Sequence, residues 1–394
     1  MVPKGWMLGT LKDLADTLMG YAFRSEDFVP TGIPLLRMGN LYQNTLDLNR
    51  NPVYLPDSFK VDYKRFLVSP GDLVMSMTGT MGKRDYGFTV EIPSNTQCSL
   101  LNQRVLKIVP KNNASSGYIL NLLRSELILS VLYSFPGGTK QANLSAKQLQ
   151  ELPVLIPPEL EQKKIAQILL TWDKAISVTE KFLANSQQQK KALMQQLLTG
   201  KKRLLDENGV RFSGEWRNST LSMFCNIAKG KALSASDLEV GDFPVIAGGK
   251  SSPYSHSDYT HENVVTVSAS GAYAGYISYH NYKIWASDCS VVSAKADNLI
   301  DYFYQLLLSL QDKIYSLQSG GAQPHIYPKD LNSIPLWVPC VKEQQKIATV
   351  LSAADDEIAT LEKKLACLRD EKKALMQQLL TGKRRVKIDE AVAA

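Results

Sequence analysis

A chain of 394 residues, 44% of them hydrophobic, can bury two or three cores and has an ordinary globular composition, which excludes a disordered or collagenous protein. Its net charge of +7 points weakly to a polyanionic partner. The five cysteines, Cys98, Cys225, Cys289, Cys340 and Cys367, are scattered and never form a C-x-x-C pair, which argues against a disulfide framework or a zinc site. No stretch reaches the roughly eighteen apolar residues of a membrane span, and MVPKGWMLG is not a signal peptide, so a cytoplasmic protein is expected.

In chain order, residues 1–157 carry short apolar runs such as Leu73–Met77 and Arg104–Val109, separated by Gly, Asn, Ser and Pro turns, and these predict strands. A helix is expected near Ser116–Leu132, followed by a Gly-Gly loop. Pro157 and Pro158 then suit a helix start, and Ile165, Leu169, Trp172, Ile176, Leu183, Leu193 and Leu197 recur at the three-four spacing of one long helix. That helix stops at Gly200, where left-handed backbone and the Lys201–Arg203 run satisfy the last carbonyls. The sequence then turns β-rich again, with Val264–Ala269 and Cys289–Ala294, and a second helix is expected near Leu299–Leu317. After Pro339 a second long stripe follows: Ile347, Leu351, Ile358, Leu361, Leu365, Leu368, Leu375 and Leu379, ending at Gly382 and Lys383–Arg385, with a frayed tail. The expected segments are 1–157, 158–205, 206–339 and 340–394.

The two long helices are copies. KKALMQQLLTGK at Lys190–Lys201 recurs letter for letter at Lys372–Lys383, and Glu161–Lys201 matches Glu343–Lys383 at 24 of 41 positions without a gap. Upstream, Lys147, Leu149, Leu152, Pro153 and Pro157 fall on Lys329, Leu331, Ile334, Pro335 and Pro339, preceded by GGTKQ and SGGAQ. Further back, Trp6, Leu11, Gly20 and Pro34 align with Trp216, Leu221, Gly230 and Pro244. A narrow heptad stripe needs a partner helix, and the nearest one for each copy is the other; two separate surface helices are the alternative.

Charge divides unevenly along this pattern. Residues 1–157 carry 16 basic and 12 acidic side chains, 158–205 carry 9 and 4, 206–339 carry 9 and 13, and 340–394 carry 11 and 9. If the third segment touches a polyanion, it does so through a local patch or beside partners that supply positive charge.

The sequence carries no recognisable catalytic motif. GTMGKR at Gly79–Arg84 has neither the spacing nor the hydroxyl of a phosphate-binding loop, and the Pro157-Pro158 pair begins a helix rather than a methyltransferase motif. Pro56-Asp57-Ser58-Phe59-Lys60 is a poor match to a nuclease metal site. The four histidines, His256, His261, His280 and His325, lack metal-ligand spacing, and no G-x-S-x-G elbow is present. No catalytic residue, metal ligand or cofactor site is expected in this chain.

A proline followed by E-Q-x-K-I-A, a heptad helix ending in LLTGK, two such copies and a Gly-Gly loop before each: together these features resemble the specificity subunit of a type I restriction-modification system across essentially the whole chain. The resemblance implies an α+β fold with two β-rich target-recognition domains, separated by two long antiparallel helices in an intramolecular, pseudo-two-fold coiled coil. It implies double-stranded DNA, two copies of a methyltransferase subunit and restriction/translocase subunits as partners, with S-adenosylmethionine, ATP and Mg on those partners. The short, acidic second recognition region departs from the broader family. A helix of about 40 residues rises about 60 Å, against about 34 Å for one DNA turn, so two heads on such a rod suit a split target. A scaffold whose end domains bind proteins is the alternative.

Base readout needs Arg, Lys, Asn, Gln, Ser or Thr on exposed loops. The first region offers Arg37, Asn40, Ser76, Thr78, Thr80, Lys83, Arg84, Tyr86, Lys140 and Gln141. The second offers Lys250, Ser268, Ser270, Tyr273, Tyr276, Lys283 and Gln323. Such Gly-rich loops are also ordinary turns. Lys201–Arg203 and Lys383–Arg385 suit either phosphate contacts or helix-end caps. The polar positions Gln187–Gln189, Gln195, Gln196, Gln377 and Gln378 are candidates for partner docking.

Overall fold

The computed structural model describes residues 2–135, 141–234, 236–250, 252, 254–321 and 323–388. They form two compact units, Met1–Thr179 with Lys364–Ala394, and Glu180–Lys363. Each unit takes part of both long helices, Glu159–Leu197 and Val341–Leu380.

In the first unit a four-stranded antiparallel sheet runs in the order Thr89–Glu91, Leu73–Ser76, Val105–Pro110 and Ala15–Met19. The pleat turns alternate side chains to opposite faces. Leu73, Met75, Leu106 and Ile108 face a helical core with Tyr118, Ile119 and Leu122, while Val74 and Val105 face Leu36 and Leu101 of a second sheet. That second sheet runs Tyr54–Leu55, Ile33–Leu36, Ser99–Leu101 and Leu67–Val68, with its central pair parallel. Both faces of the first sheet are thus buried, which explains why these strands read as unbroken apolar runs.

The second unit repeats this plan with fewer parts. Cys225–Lys229, Cys289–Ala294, Val264–Ser268 and Ile277–His280 form the antiparallel sheet. Val265, Val267 and Val292 face the helical core, and Val264 and Val291 face Ile284 and Ala286. A three-stranded sheet, Ser255–His256, Phe243–Ile246 and Trp285–Ala286, covers the other side, again with a parallel pair. A two-stranded ribbon closes each unit: Met7–Thr10 pairs with Pro153–Ile156, and Arg217–Thr220 with Pro335–Val338.

Two expected helices are each broken in two. Ser116–Leu132 is Ser116–Arg124 and Glu126–Ser134, because Ser125 is extended and its hydroxyl donates to Leu122 O at 2.5 Å. Leu299–Leu317 is Ile300–Ser309 and Gln311–Tyr315, interrupted at Leu310.

Within each unit the long helices run antiparallel, because rising numbers on one meet falling numbers on the other. The first unit pairs Glu161 with Arg385 and Asp173 with Lys372, and the second pairs Lys190 with Asp355 and Arg203 with Glu343. Of the expected stripe, Ile165, Leu169, Leu197, Ile347, Leu351, Leu365 and Leu379 are buried, whereas Trp172, Ile176, Leu183, Leu193, Ile358, Leu361, Leu368 and Leu375 are half-buried. The stripe is more than a helix-on-helix seam. Ile165, Leu169 and Leu379 belong to the first unit's core, and Leu197, Ile347 and Leu351 to the second's.

Buried polar groups occupy the middle of the helices, where the apolar pattern was expected to continue. Ser186 donates to Glu357 at 3.1 Å, Lys190 meets Asp355 at 2.5 Å and Lys372 meets Asp173 at 2.6 Å. Offset by 182 residues, the two Lys–Asp pairs are one contact made twice.

Candidate nucleic-acid interface

The helix ends hold each unit's frame. After Leu380 the chain turns at Gly382, φ 67°, beneath the Trp6 ring, and after Leu197 it turns at Gly200, φ 70°, beneath Trp216. A Cβ at Gly382 would lie 2.4 Å from Pro3 Cγ, so backbone and close approach both require glycine there. Arg203 then makes a two-pronged pair with Glu343, both contacts 2.6 Å, and Arg385 does the same with Glu161. Neither arginine is a simple helix cap or a free phosphate ligand. Lys201, Lys202, Lys383 and Arg384 are exposed, as is Arg385 despite its pairing, whereas Arg203 is half-buried. The glutamines at 187–189, 195, 196, 377 and 378 are exposed too.

In the first unit the strand Thr78–Thr80 pairs with Gln141–Asn143, placing Thr80 opposite Gln141. Thr80, Lys83 and Arg84 are exposed, and Gln141 is half-buried. Arg84 bonds Glu126 at 2.7 Å and lies 5.1 Å over the Tyr133 ring. Lys140 lies outside the described residues.

Four of the first unit's expected contacts are interior. Asn40 is 3% exposed, Ser76 1%, Thr78 7% and Tyr86 6%. Asn40 donates to Asp47 O and Arg50 O, and Ser76 accepts from Phe88 N at 3.1 Å. The Thr78 hydroxyl reaches Met38 Sδ, and Tyr86 donates weakly to Leu132 O at 3.5 Å. Burial, aided by Asp85, raises the Tyr86 phenol above its usual range. Arg37 is half-buried and donates to Asn51 O at 2.7 Å.

The second unit builds the corresponding junction. Ser270 bridges His325, and Gly271 N donates to Pro324 O at 3.1 Å, so the 268–271 turn meets the segment after the second Gly-Gly loop. Gln323 and Tyr273 are exposed, and Tyr276 is half-buried. Lys250 is exposed and sits 5.4 Å from the ring centres of both Tyr273 and Tyr276. With Ser278, His280, Tyr282 and Tyr304 it lines a cleft of about 450 Å³.

The remaining second-unit residues are placed differently. Ser270 donates to Asp288. Ser268 is buried at the end of the strand Val264–Ser268, not on an exposed loop. Lys283 stands over Tyr259 at 4.4 Å. Burial pushes His280 down to about 4, and its Nε2 lies 2.9 Å from the Thr266 hydroxyl.

Pattern reading missed Tyr42, Gln43 and Arg50, which are exposed beside the buried Asn40. Their only signal was a polar tract with no apolar period. Among the described residues, no helix is long and apolar enough to cross a membrane, and no group of three His, Cys, Asp or Glu side chains is placed to hold a metal.

The model of the type I restriction modification DNA specificity domain matches this chain twice, over residues 3–185 and 213–368. The chain belongs to that family. Specificity subunits are among its relatives: the MjaX subunit of Methanocaldococcus jannaschii is 25% identical over 98% of this chain and 95% of its own length. The EcoKI specificity subunit of Escherichia coli is 23% identical over 55% of this chain and 45% of its own. Among solved structures, the S subunit of the M. genitalium type I system superposes with a TM-score of 0.68 at 17% identity, covering 98% of this chain and 97% of that one. A chain from a study of complex assembly and conformational transition of the type I R-M system gives 0.55 at 16% identity, over 96% and 98%. At these identities the structural likeness speaks for the fold.

Proposed function

We propose that this specificity subunit reads an asymmetric, two-part DNA target, residues 1–157 taking one half and 206–339 the other, and that it contributes no catalytic group. The long helices, residues 158–205 and 340–394, set the interval between the halves. They also dock two methyltransferase subunits and the restriction/translocase subunits, on which S-adenosylmethionine, ATP and Mg reside.

One observation carries this reading: the same frame is built twice in one chain while the exposed loops on it differ. Glu161–Arg385 and Glu343–Arg203, and the two Lys–Asp pairs, are equivalent contacts. Equivalent frames offer equivalent surfaces to two copies of one partner. Unlike loops, Thr80, Lys83 and Arg84 in one unit against Lys250, Tyr273 and Tyr276 in the other, suit two unlike half-sites.

The test is to co-purify the chain with its methyltransferase subunits and map the adenines that become methylated. A split, asymmetric sequence is expected, and exchanging residues 1–157 for another such domain should change one half of it only. Absence of any sequence preference, with the subunits assembled, would instead favour a protein-binding scaffold.

A further inference from the structure

The segment between Ile33–Leu36 and Tyr54–Leu55 contains a tight hairpin, in which Leu41–Tyr42 pairs with Thr45–Leu46. Its two central residues, Gln43 and Asn44, have φ of 50° and 61°. A two-residue hairpin turn of this kind, type I′, demands left-handed backbone at both positions, normally met by Asn-Gly. Gln43 is neither glycine nor asparagine, so holding it there costs free energy that its surroundings must supply.

The surroundings supply it through one backbone group and one side chain from outside the turn. Asn44 Oδ1 accepts from Thr89 N at 2.9 Å, and Asn44 O accepts from Arg124 Nη2 at 3.1 Å. The same guanidinium donates from Nε to Thr89 O at 2.8 Å. The far end of the segment is held as firmly. Asn40 Nδ2 donates to Asp47 O at 2.8 Å and Arg50 O at 3.0 Å, and Arg37 Nη2 donates to Asn51 O at 2.7 Å.

Arg37 and Asn40 are therefore spent on bracing, and what they brace is a surface. Tyr42 is 49% exposed, and Gln43 and Arg50 are exposed as well. The Arg50 guanidinium stacks 4.8 Å from the Tyr42 ring centre, and that ring meets Phe88 edge-on at 5.9 Å. Gln43 Nε2 lies 3.4 Å from the Tyr42 hydroxyl. Two planar hydrogen-bonding groups, an amide and a guanidinium, thus stand beside one aromatic ring on a backbone braced at both ends.

We propose that the Tyr42–Arg50 loop is a base-reading element of the first unit, with Gln43 and Arg50 hydrogen-bonding base edges in the groove and Arg37, Asn40 and Arg124 acting as positioning residues. Gln pairs with adenine and Arg with guanine through two parallel bonds, and both need a fixed approach. The inference rests on the DNA-reading function proposed above.

The experiment selects from a library of duplexes randomised over the target, using the full chain with its co-purifying methyltransferase subunits. Wild type, Gln43→Ala and Arg50→Ala are compared, and thermal unfolding verifies that these exposed truncations leave the fold intact. Each variant should lose about 5- to 150-fold discrimination at one base pair of one half-target, with the other half unchanged. Unchanged preference in both variants, or uniform weakening on all sequences, overturns the base-reading assignment. If wild type itself selects nothing, the DNA-reading function fails and not this loop alone. Asn40→Ala, which frees the loop without touching its exposed groups, should blur preference at the same positions; a loss of stability with preference intact would refute the positioning role.

Discussion

In the first unit the Trp6 indole donates to Glu161 at 3.0 Å while Arg385 stands 5.7 Å over its ring. In the second, Trp216 keeps its arginine, Arg203, at 5.6 Å, but its Nε1 is buried with no acceptor among the described residues. The carboxylate–guanidinium pair is thus the part of the frame that both units share, and the indole bond is the part that only the first unit makes. A second contrast lies in the loops. The first unit presents Lys83, Arg84 and Arg50 from a net basic segment, whereas the second, net acidic, presents lysines resting on tyrosine rings. One frame therefore tolerates two quite different loop surfaces, because no bond in the frame depends on a loop tip.

The largest test of this comparison is removal of the carboxylates. Glu343 is wholly buried and Arg203 mostly so, whereas Arg385 is 41% exposed in its side chain. Glu343→Gln should cost about 3–5 kcal/mol, as expected for a buried charge stripped of its partner, and Glu161→Gln distinctly less because Arg385 reaches water. Denaturant unfolding of both variants decides this; a larger loss for Glu161→Gln would show that exposure of the arginine does not set the cost.

Next comes acid. All four histidines lie in the second unit, and burial holds His280 near 4, below its usual 6.5. A depressed histidine stabilises the fold fully above about pH 6.5 and progressively loses that contribution as pH falls towards 4. The second unit should therefore weaken over this window by up to about 3 kcal/mol while the first, with no histidine, holds. Hydrogen exchange followed unit by unit at pH 7 and pH 5 checks it, and His280→Gln should flatten the slope. Equal loss in both units would assign the acid response to carboxylates instead.

The smallest effect sharpens the indole contrast. Trp6→Phe removes a bond to a charged acceptor and should cost about 1.5–3 kcal/mol, whereas Trp216→Phe removes an unpaired buried donor and should be near neutral. Matching losses in thermal melts would mean that Trp216 has a partner after all.

The long helices and their stops were legible because a heptad stripe and a left-handed glycine are local properties, and the letter-for-letter repeat revealed them twice. The strands at Leu73, Val105, Val264 and Cys289 were legible for the same reason. The split of the Ser116–Leu132 helix was not, since Ser125 leaves the helix by choosing a local hydroxyl bond over continuation. The half-buried Lys–Asp pairs were not either: two charges 165 or 199 residues apart become partners only when the helices fold back.

The candidate reading residues divide along the same line. Residue type and turn composition picked out Thr80, Lys83, Arg84, Lys250 and Gln323, which are exposed, but equally Asn40, Ser76, Thr78 and Ser268, which are not. A polar side chain in a Gly-rich turn has the same composition whether it faces water or donates inward. By itself the sequence determined the duplicated frame, the family and the places where loops occur. Only the tertiary structure decided which loop side chains are braces and which are presented, because that depends on carbonyls, such as those of Asp47 and Arg50, that come within reach only once the chain has folded around them.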